Sequence, residues 1–249
     1  MPSYLVTGAS RGLGFGFIQV LSMNPDNTVI NLVRNKAATD KKLAVELGSP
    51  NNDVVEAVSE IAKGSLDYVI ANAGPIALWS QWDAVDVLAK DPEHLVKLLQ
   101  DSFNVNVIGN FHLFNLFTPL VLKGQGKKVI AITSGISDID FIRQFEIEPA
   151  PTSAISETGT SVLAAKFAAR YAKEGVSICP GSVDSGFEGE LTEEQKEKVK
   201  KLGSKFVNYV PHFTGPSTRV DSAKAVLKLM NEASFEKGSS GAPCLEIRE

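Results

Sequence analysis

Six short apolar blocks recur along the chain, separated by longer stretches with helical spacing. Tyr4–Val6, Val29–Val33, Leu43–Leu47, Tyr68–Ala71, Val129–Ile132 and Val176–Cys179 are each nearly unbroken in apolar residues. Such blocks predict strands covered on both faces, because a strand with one wet face alternates polar and apolar residues. The stretches Gly14–Asn24, Asp53–Lys63, Pro92–Leu122, Thr158–Lys173 and Asp221–Glu232 predict helices, the long third one broken or bent. Strand–helix alternation of this kind implies parallel strands joined by right-handed crossovers. The expected fold is therefore α/β, a doubly wound parallel sheet with helices on both faces. No linker, repeat or low-complexity segment interrupts it, so residues 1–249 read as one domain.

Composition narrows the function classes. Lys plus Arg number 25 against 29 Asp plus Glu, a net charge of −4. A binder of nucleic-acid backbones needs a basic face, so none is expected. No run of about 18 apolar residues predicts a membrane span. The greasiest stretch, Phe111–Leu122, is interrupted by His112, Asn115, Thr118 and Pro119. The residues Met1-Pro2-Ser3-Tyr4 do not open a secretory signal. Cys179 and Cys244 cannot build a disulfide framework, and no His has metal-ligand spacing to a second ligand. The expected setting is a reducing cytoplasm. Gln195–Lys205, the densest charge run, reads as a solvated helix face and as a candidate lid.

Thr7-Gly8-Ala9-Ser10-Arg11-Gly12-Leu13-Gly14 follows the first strand and opens the first helix. Small residues admit a pyrophosphate close to the backbone, and a helix N-terminus offers N–H groups and a positive dipole end. Gly8, Ser10, Arg11, Gly12, Leu13 and Gly14 are thus candidate contacts to a dinucleotide. An NAD site carries an acid about 20 residues further on. That count reaches Arg34, flanked by Val33, Asn35 and Lys36 with no acid. Arg34 and Arg11 can together clamp a 2′-phosphate, so the expected cofactor is NADP(H) rather than NAD(H).

Five motifs in order carry a family resemblance: TGASRGLG at Thr7–Gly14, NAG at Asn72–Gly74, NVIG at Asn106–Gly109, ITS at Ile132–Ser134 and PGSVDS at Pro180–Ser185. Over nearly its whole length the chain resembles the short-chain dehydrogenase/reductases, most of all the fungal norsolorinic acid ketoreductase-like branch. The resemblance implies a Rossmann-type sheet of about seven strands, the last near Cys244–Ile247. It implies that Asn72, Ala73 and Gly74 pass beside the adenine ribose. Asn106 would bend its helix and anchor a water, and Ser134 would hydrogen-bond the reacting oxygen. Pro180, Gly181 and Val183 would line the nicotinamide, with Ser185 near its phosphate. A homodimer or homotetramer is implied as well.

The family's chemistry rests on a Tyr and, four residues on, a Lys that holds the nicotinamide ribose and lowers the Tyr pKa. Here the corresponding stretch reads Pro149-Ala150-Pro151-Thr152-Ser153-Ala154-Ile155-Ser156-Glu157. The Tyr position falls on Ser153 and the Lys position on Glu157. Tyr4, Tyr68, Tyr171 and Tyr209 are followed four places on by Gly8, Asn72, Gly175 and Phe213, so no YxxxK exists anywhere. Ser153 cannot replace a tuned phenol, and Glu157 brings negative charge where a developing alkoxide needs a positive field. The same pair suits a substrate already cationic, such as an iminium, which needs hydride but no proton. The candidate catalytic residues are Ser134, Ser153, Glu157 and Asn106, with Glu157 also a candidate partner of the ribose hydroxyls. The expectation is an NADPH-dependent reductase of alkaloid- or polyketide-type biosynthesis acting on an iminium or electron-poor small molecule. Two alternatives stay open: a non-redox isomerase, cyclase or lyase using Glu157, Asp138, Asp140 or Tyr209, and a non-catalytic dinucleotide sensor.

Overall fold

The computed structural model describes residues 1–33, 61, 63–75, 79–171, 175–178, 191–209 and 218–232. Five parallel strands form one sheet: β1 Ser3–Thr7, β2 Thr28–Leu32, β3 Tyr68–Ala71, β4 Lys128–Ile132 and β5 Gly175–Ile178. Their order is β2-β1-β3-β4-β5, so the chain reverses its direction of travel across the sheet between β1 and β3. In a doubly wound sheet that reversal opens a crevice at the carboxyl ends of the strands. The five apolar blocks that fall among the described residues are these strands, each within a residue or two of its expected bounds. The expected strand at Leu43–Leu47, the body of the helix at Asp53–Lys63 and the strand near Cys244–Ile247 lie outside the described residues.

Alternate strand residues feed two separate cores. Tyr4, Val6, Val29, Ile70 and Ile130 pack against Phe15, Phe17 and Ile18 of α1 (Gly12–Leu21) and Ala223, Val226 and Met230 of α8 (Arg219–Glu232). Leu5, Ile30, Val69, Ala71, Val129 and Ala131 pack against Leu113, Phe114 and Val121 of α4 (Asn110–Val121) and Leu163 and Ala164 of α6 (Pro151–Tyr171). Helices thus cover both faces, which is why the strand blocks carry so few polar residues. The remaining described helices are α2 (Val85–Leu88), α3 (Pro92–Phe103), α5 (Ile139–Phe145) and α7 (Glu193–Tyr209). Among the described residues, no helix is long and apolar enough to cross a membrane.

The long helical stretch expected over Pro92–Leu122 is interrupted. Asp91 caps its start by accepting from the His94 N–H, and Pro92 occupies the first helical position. Between α3 and α4 the backbone widens into a π-helical turn at Asn104–Gly109. The helix expected at Thr158–Lys173 starts earlier, at Pro151. A proline at the first turn loses no helical hydrogen bond, so the helix can begin there. Ala150, just before it, takes a left-handed backbone with φ 55°. That conformation is costly for a residue with a β-carbon and abrupt enough to turn the chain into α6.

At the amino ends of the strands, Asp67 ties three segments together. It accepts from the Ser3 N–H and hydroxyl at 2.8 and 2.9 Å, and from the Gln125 and Gly126 N–H groups at 2.6 and 3.0 Å. Burial raises its pKa, but the hydrogen bonds from Gly126, Ser3 and Gln125 outweigh that and hold it below the ordinary value. Replacing Asp67 by Ala is expected to cost about 1–3 kcal/mol in thermal or urea unfolding at neutral pH, since part-buried donors lose a charged acceptor. Because the folded-state pKa is lowered, the gap between parent and variant should shrink as the pH falls from about 4 through that lower value.

Candidate active site

The carboxyl end of β1 turns sharply into α1. Gly8 and Gly12 have φ of 68° and 56°, in the left-handed region. A β-carbon on Gly8 would come within 2.8 Å of the Ala73 Cα, and one on Gly14 within 2.5 Å of the Asn72 amide nitrogen. The turn is held from β3: the Asn72 and Ala73 N–H groups both donate to the Thr7 hydroxyl at 3.0 Å. The Asn72 side-chain amide donates to the Thr7 and Gly8 carbonyls at 3.1 and 3.5 Å. Arg11 stands at the helix N-cap, with extended backbone and no side-chain cap, and the first turn holds no acid. The leading N–H groups of α1 are thus open to an anion, in a cradle that only glycine can line. This is an arrangement that fits the pyrophosphate of a dinucleotide. Ser10 and Arg11 are exposed beside it.

Two strands away, β4 ends at Ile132 and runs into Ser134, which caps a single 3₁₀ turn at Gly135–Ser137. Helix α6 grips that turn at both ends. The Ser134 N–H donates to Glu157 Oε2 at 2.9 Å, and the Thr158 hydroxyl donates to the Ser137 carbonyl at 2.8 Å. Burial raises the Glu157 carboxyl to about 7, against the lowering effect of the Ser134 hydrogen bond. Among the described residues, no cationic side chain contributes to its environment. Ser153 is half-buried one turn earlier on α6.

Asn106 lies at the centre of the π-helical turn and is buried. Its side-chain amide donates to the Ser156 hydroxyl at 2.9 Å. Its carbonyl accepts from the Thr160 hydroxyl at 2.6 Å and from the Asn110 amide at 2.7 Å. The Asn106 side-chain nitrogen and backbone carbonyl are thus engaged by protein hydroxyls and an amide. Thr152, Ser156 and Thr160 are all buried. Their spacing of four, legible in the sequence as a hydroxyl stripe on one helix face, marked this contact without showing what it would meet.

The carboxyl ends of the strands therefore carry two groups: Gly8, Gly12, Leu13, Gly14, Asn72, Ala73 and Gly74 around the turn after β1, and Ser134, Ser153, Glu157 and Asn106 on α6 and the segments it grips. Arg34, Pro180, Gly181, Val183 and Ser185 lie outside the described residues, as does the side chain of Tyr209. Asp138, a candidate acid–base group, instead caps α5, accepting from the Phe141 N–H at 2.7 Å. The charge run at Gln195–Lys205 forms α7, which is not wholly solvated. Lys198 pairs with Asp83 at 2.6 Å, Lys201 with Glu148 at 3.1 Å, and Lys205 reaches the Glu146 carbonyl. A helix read as a solvated face is thus fastened to the loop after Trp82 and to the turn before α6.

The family described as short chain dehydrogenase matches residues 3–196. The chain belongs to the short-chain dehydrogenase family. This is a family of oxidoreductases, and the expected doubly wound α/β fold is borne out. The short chain dehydrogenase virK of Hypocrea virens is 44% identical, over 97% of this chain and 96% of its own. The norsolorinic acid ketoreductase stcE of Emericella nidulans is 27% identical over 66% of this chain and 65% of its own, in line with the branch that the motifs resemble. The solved NADPH-bound carbonyl reductase from chicken fatty liver has a TM-score of 0.67 at 21% identity, covering 96% of this chain and 94% of that one. At that identity the likeness is one of fold.

Two measurements probe this short-chain dehydrogenase site. Gly14→Ala should push the Gly8 carbonyl and the Asn72 amide apart, lowering stability by about 1–3 kcal/mol in thermal unfolding and weakening dinucleotide binding. Glu157→Gln keeps an acceptor for the Ser134 N–H but removes the charge. A carboxyl whose folded pKa is raised destabilises once the pH exceeds its unfolded pKa, and the penalty is complete above the folded one. The variant should therefore gain up to about 3 kcal/mol over the parent at pH 8 and gain little at pH 4.5.

Proposed function

We propose that this short-chain dehydrogenase binds NADP(H) and reduces a cationic, iminium-type or similarly electron-poor small molecule of alkaloid- or polyketide-type biosynthesis, without a Tyr/Lys proton relay. The observation that carries the reading is Glu157: a half-buried, poorly hydrated carboxyl with one hydrogen bond and no cationic partner among the described residues. Such a group costs free energy until a cation arrives, and a cationic substrate supplies one. The glycine cradle at Gly8–Gly14 and the uncapped N-terminus of α1 support dinucleotide binding, and the NADPH-bound carbonyl reductase of like fold supports NADP(H) as its form.

In this reading the cofactor supplies the hydride. Gly12, Leu13 and Gly14 hold the pyrophosphate with their N–H groups, and Arg11 and Arg34 take the 2′-phosphate. Glu157 in its ionised form orients and stabilises the substrate cation before transfer, and its Oε2 is kept in place by the Ser134 N–H. Ser134 and Ser153 offer hydroxyls to the polar edge of the substrate. Asn106, through Ser156 and Thr160, fixes the pitch of α6 and so the height of Glu157 in the crevice. The cap at Asp138 leaves the non-redox alternative with fewer free acids.

One observation favours a second reading. A carboxyl raised to about 7 by burial keeps a protonated fraction near neutrality, and that form can give its proton to a ketone oxygen. The pH profile separates the two. With NADPH saturating and a cyclic iminium as substrate, NADPH oxidation should rise with pH through about 7. Glu157→Gln should lower kcat/KM by about tenfold or more. A ketone substrate consumed faster as the pH falls would replace the first reading by the second. Failure to oxidise NADPH with any cyclic iminium, while NADPH is bound, would overturn the first outright.

A further inference from the structure

A carboxyl held in a crevice without a cation responds to every charge that enters, including one carried by the cofactor itself. The sheet places Glu157 relative to the phosphate cradle. The cradle lies at the carboxyl end of β1, and the Ser134 N–H that Glu157 accepts lies just past the end of β4. With β3 between them, the two sites are two strand spacings apart, about 10 Å. In a doubly wound sheet the two nucleotide halves sit on either side of the reversal between β1 and β3. The adenine half belongs over β2, so the half carrying the nicotinamide belongs over β3 and β4, where Glu157 is.

We propose that Glu157 makes this site read the redox state of its cofactor, holding the oxidised, cationic nicotinamide more tightly than the reduced, neutral ring. The inference rests on the NADP(H) reading above but not on the substrate. The two forms of the cofactor carry the same phosphates, ribose units and adenine. They differ by one positive charge on the ring, so everything else cancels in the ratio of their dissociation constants. A carboxylate in a poorly hydrated crevice lowers the energy of the charged ring and leaves the neutral ring nearly unaffected.

Among the described residues, no other charge acts on Glu157. The elements packed against α6 carry Glu93, His94, Lys97 and Asp101 on α3, His112 on α4 and Lys128 on β4, and α6 itself carries Lys166 and Arg170. None of these acts on Glu157, whose environment among the described residues is burial and the Ser134 N–H. Lys128 points away, donating to the Met230 carbonyl at the other end of the strand. The discrimination therefore follows the ionisation of Glu157. Binding of the oxidised ring favours the carboxylate and so releases a proton, and binding of the reduced ring does not.

The test is a titration of the full-length protein with NADP⁺ and with NADPH between about pH 5.5 and pH 8, which brackets the carboxyl. The expected result is a ratio of dissociation constants, NADPH over NADP⁺, that rises about tenfold with pH and levels off, and that stays flat in Glu157→Gln. Calorimetry of the unaltered protein in two buffers of different ionisation enthalpy gives a second readout that needs no variant. NADP⁺ should release more protons than NADPH near neutrality. Tight binding of both forms with a pH-independent ratio and equal proton release overturns this inference and leaves the proposed function standing. An unchanged slope in Glu157→Gln overturns it as well. Binding of neither form overturns both.

Discussion

A parallel sheet covered on both faces leaves no room for polar chemistry within its strands. Every strand side chain of the two cores is apolar apart from the occasional hydroxyl or amide, and the hydrophobic contacts of α1 and α8 on one side and α4 and α6 on the other hold the layers together. Polar function is thereby displaced to the strand ends. In this molecule the two ends are specialised. At the amino ends, Asp67 gathers Ser3, Gln125 and Gly126 into a rigid base. At the carboxyl ends, Thr7 and Asn72 shape the glycine cradle, and Ser134 presents its N–H to α6.

Helix α6 is the element on which the chemistry turns. One face is a stripe of hydroxyls that grips the π-helical turn through Asn106. The next face presents Glu157 and Thr158 to the 3₁₀ turn after β4. Hydroxyl contacts of this kind are short and directional, so they fix the pitch of the helix more tightly than apolar contacts do. The result is a carboxyl set at a defined height past the end of β4, with one donor and no countercharge among the described residues. Desolvation then raises the cost of its ionised form. Both the substrate reading and the redox-state reading follow from that one imbalance: a buried acid is tuned by whatever cation comes to it.

Helix α7 adds a constraint from outside. Its lysines reach Asp83, Glu148 and the Glu146 carbonyl, linking the segment after Trp82 to the turn that launches α6. Exposed ion pairs contribute little individually. Their effect here is geometric, since Lys201 and Lys205 hold Glu148 and the left-handed Glu146, just ahead of the left-handed Ala150 where the chain turns into Pro151.

The sequence by itself determined the strands, the parallel sheet and the phosphate turn. Those follow from local apolar blocks and from glycines at left-handed or crowded positions that a β-carbon would strain, and both are written in neighbouring residues. It also determined that Ser153 and Glu157 stand where the resemblance expects a Tyr and a Lys. Only the tertiary structure decided what these residues meet. That α6 begins at Pro151, that the long helix loosens into a π-helical turn around Asn106, and that Asp138 is spent on a cap all depend on partners distant in the chain. The same is true of Glu157. Its charge is local, but its burial and its hydrogen bond to Ser134 are set by packing between α6 and β4, which periodicity along a single segment cannot express.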